Sequence, residues 1–140
     1  LVPVLWLHRA QGKLEHGDFE GAIEDASATL AQEGRVVRAY AVRGEAYFKS
    51  GDAATAVADY DVFLRQEPEN ATMLWKRSRA RLELGQLDGA IEDSQAALRC
   101  GVALTDAVRA DCWLVTGLAK MRQARDPEEV CKACTKSEKL

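Results

Sequence analysis

"GDFEGAIED" stands at residues 17–25 and "GQLDGAIED" at residues 85–93, with a looser copy, "GDAATAVAD", at residues 51–59 between them. The phrase therefore recurs every 34 residues. Self-similarity at this period marks an array of small units, none able to bury an apolar face alone, so that stacking on neighbours supplies the core. Cutting at the period gives units at residues 3–36, 37–70 and 71–104 with no gap between them.

Within each unit apolar residues recur every three or four positions, in two bursts separated by a short break containing glycine, which reads as helix, turn, helix. In the second unit Tyr40, Gly44, Tyr47 and Phe48 mark the first burst, and Ala56, Val57, Tyr60, Phe63 and Leu64 the second. No burst alternates with period two, so no strand is expected. Gly17, Gly51 and Gly85 fall where each first helix ends, a position that favours left-handed backbone. Asp18 and Asp52 follow as caps for the second helices, with Gln86 a poorer one. Glu24, Asp25, Glu92 and Asp93 lie early in second helices and suit the positive end of the helix dipole. Ala10, Gly44 and Ser78 in the first helices match Ala22, Ala56 and Ala90 in the second, which predicts a close crossing where small side chains meet. Leu30, Leu64 and Leu98 are placed to fill the space toward the next hairpin.

Bulk properties agree with one folded unit, residues 1–140: 47% of the chain is apolar and 29% charged, the balance of a soluble globular protein. Only three prolines are present, and no Gly/Ser-rich stretch offers a linker. A net charge of -3 gives no long-range attraction to nucleic acid or anionic membranes, so neither is the expected partner. No apolar run approaches the roughly 20 residues needed to span a bilayer. The opening "LVPVLWLHRA" lacks a methionine, a basic leader and a cleavage pattern, and reads as part of a longer chain without a signal peptide. Cys100, Cys112, Cys131 and Cys134 read as reduced thiols in a helical chain, which points to a cytoplasmic location.

With these features the chain resembles the tetratricopeptide repeat family, whose pattern runs large residue, small residue, Gly-Asp-aromatic turn, alanine, aromatic or small residue, closing proline. The second unit matches it with Tyr40, Gly44, Tyr47, Gly51-Asp52, Ala56, Tyr60, Phe63 and Pro68. The first offers Trp6, Ala10, Gly17-Asp18-Phe19, Ala22 and Ala26; the third offers Leu74, Ser78, Gly85, Leu87, Ala90, Ser94 and Ala97. Lys13 and Arg81 replace the expected aromatic, and Gly34 and Val102 the proline. The resemblance implies an all-α, right-handed α-solenoid of antiparallel helical hairpins.

Beyond residue 104 the period slips. Thr105 or Asp106 is placed to start a helix through "DAVRADCWLVTGLAKMRQA", and Asp126-Pro127-Glu128-Glu129 is a further helix start, with a capping side chain, proline in the first turn and early acids. Residues 105–140 are therefore expected to form a divergent fourth hairpin, or an elongated helix followed by a capping helix.

Reactive chemistry is sparse. "CKAC" at residues 131–134 has no preceding strand and sits a turn inside its helix, so small packed residues are favoured over a redox or zinc site. His8 and His16 are eight residues apart, too far for a metal pair on adjacent turns. No phosphate loop, nucleophile elbow or metalloprotease motif occurs. No catalytic residue, metal or cofactor is expected.

"WKRSRAR" at residues 75–81 is the densest basic stretch; its plain reading is a solvated surface paired with Glu67, Glu69 and Glu83. The family resemblance implies a concave groove lined by the first helices that receives a protein or peptide ligand, and places His8, Gln11, Arg38, Glu45, Trp75, Lys76 and Arg79 on it. Trp75 between such cations suits an apolar side chain next to a carboxylate. Positions where one subgroup of the family clamps chaperone C-termini carry Leu7, Gln11, Val42, Thr72 and Lys76, and only the lysine suits that role. The expected function is a non-enzymatic interaction module, an adaptor, scaffold or co-chaperone-like array. A purely architectural segment of a larger assembly is the alternative, with thiol or zinc chemistry at Cys131 and Cys134 behind it.

Overall fold

Three turns built alike tie the helices into pairs. In each, a glycine one or two residues past the end of a first helix has positive φ: Gly17 at 85°, Gly51 at 99° and Gly85 at 77°. Each glycine N–H donates three residues back, and the next N–H five residues back: Asp18 to Lys13 at 2.8 Å, Asp52 to Tyr47 and Gln86 to Arg81 at 2.9 Å each. This left-handed closure satisfies the free carbonyls of the helix end. Asp18 then caps the next helix through Gly21 N–H at 3.0 Å, and Asp52 does so through Thr55 N–H at 3.1 Å.

The computed structural model describes residues 3–34, 36–100 and 104–125. These form α1 (Pro3–Glu15), α2 (Phe19–Gln32), α3 (Val37–Ser50), α4 (Ala53–Gln66), α5 (Ala71–Glu83), α6 (Leu87–Cys100) and α7 (Asp106–Arg125), with no strand among the described residues. Gly101, Val102, the helix start at Asp126 and the Cys131–Cys134 pair lie outside them. None of the described helices is long and apolar enough to cross a membrane.

Each hairpin packs its two helices together, and each second helix packs on the following first helix. The first helices α1, α3, α5 and α7 also touch in succession, whereas α2, α4 and α6 do not touch one another. A stack that is closer on one side than the other must curve, so the first helices form the inner layer of an all-α solenoid.

The core is continuous across the joints. Leu7, Ala10, Ala22 and Ala26 meet Ala39, Val42 and Ala46 of the next hairpin, with Leu30 packed against them. Leu64 joins Met73 and Leu74, and Leu98 reaches the cluster holding Cys112. The small residues Ala10, Ser78, Ala22, Ala56 and Ala90 are fully buried, yet at Gly44 the fit is large into small. A Cβ on Gly44 would stand 2.8 Å from the Tyr60 ring, so glycine there makes room for tyrosine.

A charged clasp repeats inside every hairpin. Arg9 donates two hydrogen bonds to Asp25, both 2.7 Å; Arg43 grips Asp59 at 2.9 and 2.7 Å; Arg77 grips Asp93 at 2.8 Å twice. The three aspartates are 3–6% exposed, so a paired guanidinium is what makes their burial tolerable. Arg9, and more weakly Lys13, hold the Asp25 carboxyl below its usual range against an opposing push from burial. Asp25 and Asp93, expected from the sequence to serve the helix dipole, find their partners across the hairpin instead, as does Asp59.

Lys13 and Arg81, which depart from the family's aromatic, add a second cation: Lys13 reaches Asp25 at 3.1 Å and Arg81 reaches Asp93 at 2.9 Å. Glycine follows at matching places in α2 and α6. A Cβ on Gly21 would first meet the capping Asp18 carboxylate and then Lys13 Cδ at 2.9 Å, and one on Gly89 would stand 3.0 Å from Arg81 Cδ and Nη1. In the middle hairpin, where Tyr47 replaces the cation, the residue is Thr55. The glycine within the repeated phrase clears a path for a long cation.

α7 starts 35 residues after α5, where α5 starts 34 after α3, so the period slips by one residue. Thr105 caps it, accepting from Val108 N–H at 3.3 Å. Position 119, 34 beyond Gly85, is Ala119, and without a left-handed stop the helix runs to Arg125.

Candidate functional site on the inner layer

Three successive first helices bring side chains together on the inner layer. Glu45 and Phe48 come from α3, Trp75, Lys76 and Arg79 from α5, and Asp111 from α7. On α5 the spacing from Trp75 to Arg79 is one helical turn, so both side chains point to one face. Asn70 fixes the start of that helix by accepting from Met73 N–H at 3.1 Å.

Trp75 is half-buried against the core, and its indole N–H donates to Asp111 Oδ2 at 2.5 Å. The Arg79 guanidinium lies over two rings, 5.2 Å from the Phe48 centroid and 5.3 Å from that of Trp75. These are cation–π distances, and both rings help to hold the guanidinium in place. Asp111 is 3.7 Å from Arg79 Nε, an ion pair without a hydrogen bond. Arg79 makes no hydrogen bond to a described residue, and its side chain is 44% exposed. Lys76 donates to Glu45 at 3.0 Å, and Lys49 lies 3.6 Å from the same carboxylate.

Of the residues expected on the groove, Glu45, Trp75, Lys76 and Arg79 thus come together. His8, Gln11 and Arg38 are exposed on α1 and α3, outside this network. The basic stretch does not pair with Glu67, Glu69 and Glu83. Lys76 takes Glu45 and Arg79 takes Asp111, while Arg77 and Arg81 turn to Asp61 and Asp93 on the second helices. The reason is reach: the helices stacked on α5 offer carboxylates on both sides of it, so little of the stretch remains a freely solvated face.

Sequence reasoning missed Phe48 and Asp111 as members of the network. Phe48 stands 34 residues after Leu14 and before Leu82, a position that reads as core. Asp111 belongs to the helix after the period slips, so counting in steps of 34 could not place it. Among the described residues no group of three or more His, Cys, Asp or Glu could hold a metal ion. Burial, with Asp111 beside it, pushes the Cys112 thiol above its usual range, the reverse of an activated thiolate.

The profile of the tetratricopeptide repeat matches residues 7–70 and again residues 43–101. Stress-induced-phosphoprotein 1 of Caenorhabditis elegans is 23% identical over 105 residues, which is 70% of this chain and 33% of that protein, so the chain spans about a third of this curated relative. The first tetratricopeptide domain of Spaghetti (RPAP3), bound to the HSP90 peptide SRMEEVD, superposes with a TM-score of 0.75 at 16% identity, covering 82% of this chain and 90% of that one. The Yersinia enterocolitica type III secretion chaperone SycD, in complex with a peptide of the translocator YopD, gives 0.77 at 13% identity, covering 85% and 92%. Profile, turn chemistry and stacked hairpins agree, and the chain belongs to the tetratricopeptide repeat family.

Proposed function

We propose that this array is a non-catalytic protein-interaction module that receives a peptide segment of a partner protein on its inner layer, centred on Trp75, Lys76 and Arg79. The observation that carries the reading is Arg79. A half-exposed guanidinium over the Phe48 and Trp75 rings, hydrogen-bonded to no described residue, is already positioned for a carboxylate or backbone carbonyl. Trp75 serves as the platform beneath it, since its N–H is taken by Asp111. Arg38, exposed on α3, extends the same layer toward the first hairpin. Solved relatives of this fold hold peptides, which supports the class of ligand; the ligand of this chain is set by its own side chains.

The test is affinity capture from cell extract with the unaltered chain and with Trp75→Ala/Arg79→Glu, followed by identification of partners lost. A partner that binds the unaltered chain and falls by at least tenfold in affinity with the double variant supports the assignment. Partners retained equally by both would place binding elsewhere.

A further inference from the structure

α7 packs on α5 and α6 through Cys112, Val115, Thr116 and Ala119, which are buried. On the opposite side lie Ala107, Ala110, Leu114, Gly117, Met121 and Ala124, all exposed. They follow one another at steps of three and four residues in turn, the rhythm of a helix that packs lengthwise on another helix. At helical spacing the six fall within an arc of about 100°, and no charged residue interrupts it. Trp113 and Leu118 flank the arc, 65% and 36% exposed. Gly117 adds a second observation. Glycine weakens a helix interior, yet a Cβ here would meet nothing within 4 Å, so no described residue requires its absence. A backbone approaching closely from outside would require it.

We propose that a second copy of this chain packs on this face, α7 against α7, antiparallel about a twofold axis between residues 115 and 116. The seam is then complementary to itself. Leu114 stands level with the second copy's Gly117, Met121 with its Ala110 and Ala107 with its Ala124, and the symmetry makes each contact twice. Large side chains meet small ones through the middle, and alanine meets alanine at both ends. A parallel pair would set Leu114 on Leu114 and Gly117 on Gly117, a clash beside a hole. Charge favours the same orientation. The first six residues of α7 hold two aspartates and one arginine and the last six hold three cations and no acid, so antiparallel packing brings opposite ends together. One flank carries each Trp113 beside the other copy's Lys120, a cation–π pairing, and the other flank joins the two Leu118 side chains. A seam about 26 Å long covers roughly 300 to 400 Å² per copy, under half of the ~800 Å² typical of a stable complex. The dimer is therefore weak and reversible, and concentration controls it.

The experiment is sedimentation equilibrium of the full chain with reductant present, from about 10 µM to about 1 mM, the range in which so small an interface assembles. Expected is a monomer at the low end and a rising share of dimer toward the high end. Gly117→Leu, which sets leucine against leucine, and Met121→Lys, which puts a charge in the seam, should each weaken association at least tenfold. Helix content by circular dichroism and the protection of buried Cys112 from alkylation should stay unchanged in both. Leu114→Ala/Gly117→Leu reverses large and small in the central layers and should recover the dimer. A monomer at every concentration would overturn the proposal and assign the face to a separate protein or to another part of this chain. So would association that both single variants leave intact, or a double variant that associates no better than Gly117→Leu.

Discussion

Arg43 holds Asp59 with two hydrogen bonds, 2.9 Å from Nε and 2.7 Å from Nη2, and among the described residues no second cation forms an ion pair with that carboxylate. The other two clasps have a reserve in Lys13 or Arg81. Removing one partner of a buried pair leaves an uncompensated charge. Arg43→Ala should therefore cost most, about 3 kcal/mol. Arg77→Ala, with Arg81 still on Asp93, should cost about 2 kcal/mol. Arg9→Ala should cost least, because Arg9 is 60% exposed and Lys13 remains. Urea unfolding midpoints give the order, and equal losses across the three would show that the clasps are not graded by their reserves.

Acid should find the first hairpin through Asp25. Its folded carboxyl titrates below the unfolded value, so between the two the unfolded chain binds more protons. The contribution is complete above the unfolded value of about 3.9 and is lost as pH falls through the folded one. Asp25→Asn should lower stability at neutral pH and flatten the dependence below about pH 5. An unchanged slope there would deny the carboxylate this role.

Gly89 offers a test in which the sign matters. In an ordinary helix Gly→Ala stabilises by about 1 kcal/mol. Here the new methyl would stand 3.0 Å from Arg81 Cδ and Nη1 and push that side chain off Asp93. Gly89→Ala is expected to destabilise, whereas adding Gly89→Ala to Arg81→Ala should stabilise. A double-mutant cycle by thermal melting measures the coupling, and additivity would refute it.

The hold of α7 on the inner layer can be read at Trp75. Trp75→Phe keeps a ring beneath Arg79 but removes the N–H that Asp111 accepts, and a bond to a charged acceptor contributes about 1.5 kcal/mol. Asp111→Asn keeps an acceptor and should cost less. Equal losses in chemical unfolding would show that the bond depends wholly on the charge of its acceptor.

Turns and small core positions were legible because each is dictated locally. Only glycine takes φ near 90° without strain, so Gly17, Gly51 and Gly85 announce themselves. The clasps were as periodic, with Arg9, Arg43 and Arg77 in step with Asp25, Asp59 and Asp93, but pairing across a hairpin is invisible to a reading of one helix at a time. Asp111 was harder still, since it enters the inner layer from beyond the slip, and Trp75 could not be seen as partly engaged until α7 was in place.

The arginines also differ in what they reach backward. Arg77 bonds Asp61 on α4 at 2.7 Å, while Arg43 reaches only Ser27 on α2, at 3.4 Å. One joint is fastened by opposite charges, the other by a neutral hydroxyl at long range. The joint between the first and second hairpins thus lacks an ion pair that the next joint has, while apolar packing crosses both, and opening is expected to begin at that terminal hairpin. In native-state amide exchange α1 and α2 should exchange together at lower free energy than α4 and α5, which share the charged joint. Ser27→Asp, which copies the Asp61 contact, should narrow the gap and let the hairpins open as one body.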